Sequence, residues 1–204
     1  MTLDCKRIIH FFFPPSEDEQ LLQTLDTRTF ITISVPTYVH NAITLLPYTD
    51  RTVKAAIHLN KYHHHHKAQL LLGCVLQHYL QTTVQHDTYI VPIPLSRKRL
   101  RARGYNQTEE IVKRAIKHTP HLQSAPGLLH RTRDTKAQTT LSRQERLRNM
   151  HNAFSVPERK KHLIPGAHII LVDDVLTTGA TIKAAKDALQ THAPACVTCV
   201  TLAH

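Results

Sequence analysis

Two adjacent carboxylates, Asp173 and Asp174, stand just ahead of a turn of small residues, Thr177-Thr178-Gly179-Ala180-Thr181. Such a turn, opening into a helix, offers unpaired backbone N–H groups, three hydroxyls and the positive end of the helix dipole. That combination suits a phosphate dianion. Gly179 lets the backbone come close to it, where a Cβ would obstruct. Two carboxylates beside a phosphate repel it unless something neutral and hydroxylated lies between. The vicinal hydroxyls of a ribose meet that need, because carboxylates accept hydrogen bonds from them. The chemistry implied is recognition of a sugar phosphate.

The elements that position these groups are legible around them. Ile169-Ile170-Leu171-Val172 is an unbroken apolar run of the kind buried on both faces in a parallel sheet. A helix from Thr178 to about Gln190 carries Ile182, Ala185 and Leu189 on one side, and a last strand spans Cys196–Leu202. Ligands in open α/β sheets bind at the carboxyl ends of the strands, where the acids stand. Upstream, Thr88–Ile93 reads as a strand. Asn106 caps a helix with Glu109 three residues on, and Ile111, Val112, Ala115 and Ile116 form its inner face. Ala68, Leu71, Leu72, Val75, Leu76, Tyr79 and Leu80 form the stripe of a longer helix, preceded by a short one carrying Val53, Ala56 and Ile57. Phe30–Val35 alternates apolar and polar residues as a half-buried strand does, and His40-Asn41 suits a turn to a second strand ending near Leu46. Alternating strands and helices predict an α/β fold: an open parallel sheet flanked by helices over residues 51–204, with a small β-containing annex over 1–50.

The acid pair and its Thr/Gly turn resemble the phosphoribosyl pyrophosphate (PRPP) signature of type I phosphoribosyltransferases. Two further blocks, Val91–Gln107 and Arg131–Asn149, are similar to the ComF family, phosphoribosyltransferase-like proteins associated with natural competence, the uptake of DNA by bacteria. The resemblance implies that Asp173 and Asp174 bind the ribose hydroxyls and that Thr177, Thr178, Gly179, Ala180 and Thr181 wrap the 5-phosphate. It places the pyrophosphate at Ser96 and Arg97, just past the strand Val91–Leu95. It makes the long polar stretch after Arg131 a flexible loop closing over PRPP, with Lys136, Arg143 and Arg146 as candidate contacts. It also implies Mg²⁺, arriving with PRPP. Many members begin with a four-cysteine zinc module, but the first 73 residues here contain only Cys5, so no structural zinc is expected. The annex is a candidate hood over a bound acceptor.

Charge narrows the partners. Of 26 Lys and Arg, 17 lie between Val91 and Lys161 against five acids, a balance of +12, while the remainder of the chain sums to −1. Such concentration implies an anionic partner, either small-molecule phosphates or nucleic acid, with a merely solvated basic surface as the alternative. Arg101, Arg103, Arg131, Arg133, Arg148, Lys160 and Lys161 exceed what one small ligand can touch and are candidates for single-stranded DNA. With aromatics at 5% and no Trp, contact through phosphates is expected rather than base stacking. His63–His66 reads as a solvated turn or helix end. Cys196 and Cys199, three apart on a strand, point to opposite faces and read as buried structural cysteines. No signal peptide is recognisable, and the longest apolar runs fall far short of the ~20 residues that span a bilayer. A cytoplasmic protein without membrane insertion is expected.

Two functions follow. In one, the chain is an enzyme transferring phosphoribosyl from PRPP to an unidentified acceptor, with release of pyrophosphate. In the other, it is a non-catalytic PRPP- or nucleotide-binding protein that handles single-stranded DNA alongside other competence proteins.

Overall fold

A computed structural model describes residues 15–132 and 153–204. The chain begins there with two short helices, α1 (Glu17–Gln23) and α2 (Thr27–Thr32), and a hairpin of β1 (Thr37–Val39) and β2 (Ala42–Leu46). Helices α3 (Arg51–Tyr62) and α4 (His66–Thr83) lead to β3 (Thr88–Pro92). Next come α5 (Arg97–Arg103), α6 (Gln107–Ala115) and β4 (Leu122–Ser124). A small two-stranded ribbon, β5 (His130–Arg131) with β6 (Phe154–Ser155), precedes a 3-10 turn at Glu158–Leu163. The sequence closes with β7 (His168–Val175), α7 (Ala180–Gln190) and β8 (Cys196–Ala203).

Six strands form the main sheet in the order β1-β2-β8-β7-β3-β4, parallel throughout except for the antiparallel β1. The expected open sheet flanked by helices is therefore present. Because side chains alternate across a strand, β7 divides its apolar run between two layers. Ile170 and Val172 enter a core with helices α1–α4 and α6, through Leu22, Phe30, Leu71, Leu76 and Ile111. Ile169 and Leu171 enter the opposite core with α7 and the ribbon, through Ile182, Leu189 and Phe154.

The N-terminal part differs from expectation. Phe30–Val35 is not a strand: Thr27–Thr32 is helical, capped by Asp26, whose carboxylate accepts the Thr29 N–H at 2.8 Å. Phe30 is fully buried, anchoring that helix in the first core. Six alternating residues also fit one and a half helical turns, and the cap decides between them. The turn at His40-Asn41 is as expected; both residues have positive φ, 46° and 64°, which matches the twist of a two-residue hairpin. Strand β2 then pairs in parallel with β8, so the boundary expected at residue 50 falls inside one continuous sheet and core. Among the described residues, no helix is long and apolar enough to cross a membrane.

Candidate functional site

Strands β3 and β7 run in register until Pro92 faces Val172, and the Ile93 N–H donates to the Val172 carbonyl at 2.8 Å. Beyond that level the two chains separate, and a cavity of about 300 Å³ opens over their carboxyl ends. Asp173 and Asp174 line it, as do Thr177, Gly179 and Thr181. The residues singled out in β7 and the following turn thus converge on one concavity. Thr178 and Ala180 do not line it. Ala180 is buried, and the Thr178 hydroxyl is buried without a partner among the described residues.

Alternation sends the two acids to different layers. Asp174 continues the Ile170–Val172 side and meets the helices there: its Oδ2 accepts from Gln107 Nε2 of α6 at 2.8 Å, and Lys61 Nζ of α3 lies 3.4 Å from the same oxygen. Asp173 keeps to the α7 side, and its Oδ1 accepts the Asp174 N–H at 2.9 Å. Burial and the Asp174 charge raise the Asp173 carboxyl from its ordinary 3.8 to about 7, against the opposing pull of that N–H, of Lys61 and of Arg131. A carboxyl with that midpoint exchanges protons near neutrality.

The phosphate-type turn needs its glycine twice over. Gly179 has φ 73°, and a Cβ there would stand 3.1 Å from His40 Cβ and 3.3 Å from the His40 carbonyl. The β1–β2 turn therefore packs directly against the loop, which ties the N-terminal segment to the site.

Behind the cavity, Gly104-Tyr105-Asn106-Gln107 acts as a bracket. Gly104 ends α5 in the left-handed conformation at φ 77°. The Tyr105 hydroxyl donates to the Asn60 carbonyl and accepts the His64 N–H at 3.1 Å, pinning the end of α3. Asn106 caps α6 through the Thr108 N–H and donates Nδ2 to the Ile93 carbonyl at 3.1 Å. Gln107 then reaches Asp174. Each residue of this block fixes a neighbour of the cavity.

The positive lining differs in part from the sequence reading. Residues 97–103 form α5, and Ser96 is its cap, with Oγ accepting the Arg99 N–H at 3.3 Å. Ser96 and Arg97 do not line the cavity; Arg99 and Arg103, further along α5, do. Lys61 and Arg131 complete the cations. Arg131, set aside above as surplus charge, stands on the ribbon with its guanidinium 5.4 Å from the Phe154 ring centre. Lys136, Arg143 and Arg146 lie outside the described residues. Lys61 carries no motif of its own and escaped the sequence reading, and Gln107, the last residue of the Val91–Gln107 block, had no role assigned there. Cys199 is buried as expected, but Cys196, at the start of β8, is exposed rather than buried. His63–His65 form the connection from α3 to α4.

Comparison with known proteins agrees with this geometry. Residues 122–204, which hold the acid pair and its loop, match the family "Phosphoribosyl transferase domain". The chain is 36% identical over 115 residues to DNA utilization protein YhgH of Escherichia coli K12, covering 56% of this chain and 48% of that protein. It is 34% identical over 94 residues to Competence protein F of Haemophilus influenzae, covering 46% and 40%. Residues 122–204 are thus similar to the phosphoribosyl transferase domain family, and the chain is similar to competence-type proteins. Bifunctional protein PyrR of Corynebacterium diphtheriae shares 49% identity over 51 residues, 25% of this chain and 27% of PyrR. The matched region spans about half the length of the YhgH relatives.

Proposed function

We propose that the cavity binds PRPP and transfers its phosphoribosyl group to an acceptor not yet identified, releasing pyrophosphate. The observation that supports this most is the convergence of Asp173, Asp174 and the Thr177–Thr181 turn on one concavity ringed by Lys61, Arg99, Arg103 and Arg131. The acids accept the ribose hydroxyls and the turn takes the 5-phosphate. Arg99 and Arg103 face the leaving pyrophosphate in place of Ser96 and Arg97. The bond from ribose C1 to the pyrophosphate oxygen breaks as the bond to the acceptor forms, and the sugar carries positive charge between the two. The protein's part is to hold both ends of PRPP and to stabilise charge on the departing group. Among the described residues no three His, Cys, Asp or Glu side chains converge to hold a metal ion. Mg²⁺, arriving with PRPP, would supply positive charge that eases departure of the pyrophosphate. Incubation with PRPP, Mg²⁺ and a panel of bases, followed by pyrophosphate release, tests the reading; Asp173→Asn together with Asp174→Asn should abolish release.

A second reading concerns single-stranded DNA. Five of the seven residues of α5 are cationic and none is buried, and Arg103 also lies over the exposed Tyr62 ring at 5.4 Å. That surface supports sequence-tolerant contact with strand phosphates, and similarity to a protein named for DNA utilization supports the same reading. Binding of a labelled oligonucleotide should weaken steeply with salt and with Arg97→Ala plus Arg101→Ala; salt-indifferent binding would remove DNA from the account.

A further inference from the structure

We infer that Lys61 is a positioning residue that serves as the fixed counter-cation of the acid pair, holding the Asp174 carboxylate on the helix layer to which strand alternation sends it and offsetting part of the negative charge an anionic sugar must approach. The inference rests on the phosphoribosyl reading for its ligand, but its electrostatic content stands in the protein alone. Two carboxylates in one small cavity are an unfavourable receptor for a phosphate-bearing molecule. The two acids are the only ones lining the cavity among the described residues, and Lys61 Nζ lies 3.4 Å from Asp174 Oδ2.

Lys61 is built into place. Its side chain is 19% exposed and that of Asp174 is 9% exposed. Its neighbours on the last turn of α3 are anchored on either side. Asn60 is fully buried with its carbonyl bonded to Tyr105, His64 donates to the same hydroxyl, and Tyr62 lies under Arg103. The ammonium consequently has little freedom to leave Asp174. Gln107 approaches the same Oδ2 from α6, so two helices hold one carboxylate from two directions.

Removing the charge should reach across to Asp173. The groups that face Asp173 are Asp174 on its own strand, Lys61 from α3 and Arg131 from the ribbon, with Arg99 and Arg103 of α5 on the same cavity. Asp174 makes Asp173 harder to ionise, while Lys61 and Arg131 ease it. Without Lys61, the Asp173 midpoint must move up, and the sugar site must lose its ionised acceptor at neutral pH.

Carboxyl-carbon NMR of the ligand-free protein follows the Asp173 titration in wild type, Lys61→Met and Lys61→Arg. The midpoint should rise in Lys61→Met and stay near the wild-type value in Lys61→Arg. Equal midpoints in all three overturn the inference whatever the ligand is. Lys61→Gln, which keeps an N–H donor without charge, replaces the methionine variant if that one does not fold, with the same expected rise. Calorimetric titration with ribose 5-phosphate from pH 6 to 9 provides the second readout. Lys61→Met should bind about tenfold more weakly at pH 7, with its affinity recovering only at higher pH, and Lys61→Arg should largely restore binding. Wild-type affinity and pH profile in Lys61→Met overturn the inference. No binding by wild type, beside the expected NMR shift, would overturn the phosphoribosyl reading and leave the role of Lys61 standing.

Discussion

Replacing Asp173 by Asn should stabilise the protein, and by an amount that grows with pH. The Asp173 carboxyl titrates at about 7 in the fold against 3.8 ordinarily, so between those values the folded state holds a proton that the unfolded chain has released. Stability must then fall as pH rises through that window and level off above it. The full span of about 3 pH units corresponds to about 4 kcal/mol, more than half of which is lost between pH 5 and pH 8. Asn carries no charge to desolvate, and its Oδ1 can still accept the Asp174 N–H, as Asp173 does at 2.9 Å. The advantage of Asp173→Asn over wild type should therefore increase by about 2–3 kcal/mol from pH 5 to pH 8. For a domain of this size that is a gain of about 5–10 °C in Tm at the higher pH. Urea unfolding of both proteins at pH 5, 6.5 and 8 measures it, and the stabilised variant should have lost ribose 5-phosphate binding. A difference that is constant with pH, or one that shrinks as pH rises, would refute the placement of a destabilised, buried carboxyl at the strand end.

Two further substitutions probe the scaffold. Gly179→Ala puts a Cβ on a backbone at φ 73° and 3.1 Å from His40 Cβ, so it should cost about 1–3 kcal/mol in denaturant unfolding and weaken phosphate binding by displacing the β1–β2 turn; wild-type stability would contradict that packing. Tyr105→Phe leaves the Asn60 carbonyl and the His64 N–H without the hydroxyl that joins them, and should cost about 1–3 kcal/mol in the same assay, with no loss expected if the bracket is not formed.

What could be read along the chain was whatever depends on neighbours in sequence. The acid pair, the glycine turn and the start of α7 are contiguous, so their chemistry survives without knowledge of the fold. The doubly buried β7 was legible because both its faces are apolar, and the α4 stripe because its period is unbroken over four turns. Phe30–Val35 was misread because a short alternation satisfies either geometry, and the deciding contacts are the Asp26 cap and the burial of Phe30 in a core built mostly by α3 and α4.

The cations and the bracket belong to a different class. Positive charge along Val91–Lys161 was plain, but which side chains turn inward depends on the helical phase of α5: Ser96 is consumed as a cap, while Arg99 and Arg103 face the cavity. Lys61 and Gln107 have ordinary neighbours in sequence and meet Asp174 from elements 113 and 67 residues away. Strand periodicity alone determines that Asp173 and Asp174 point to opposite layers. Only the packing of α3 and α6 against one face of β7 decides that a lysine and an amide wait for Asp174 there. The physical reason is that a carboxylate's protonation and orientation are set by charges within a few ångströms, and in a parallel sheet those charges come from helices far away along the chain.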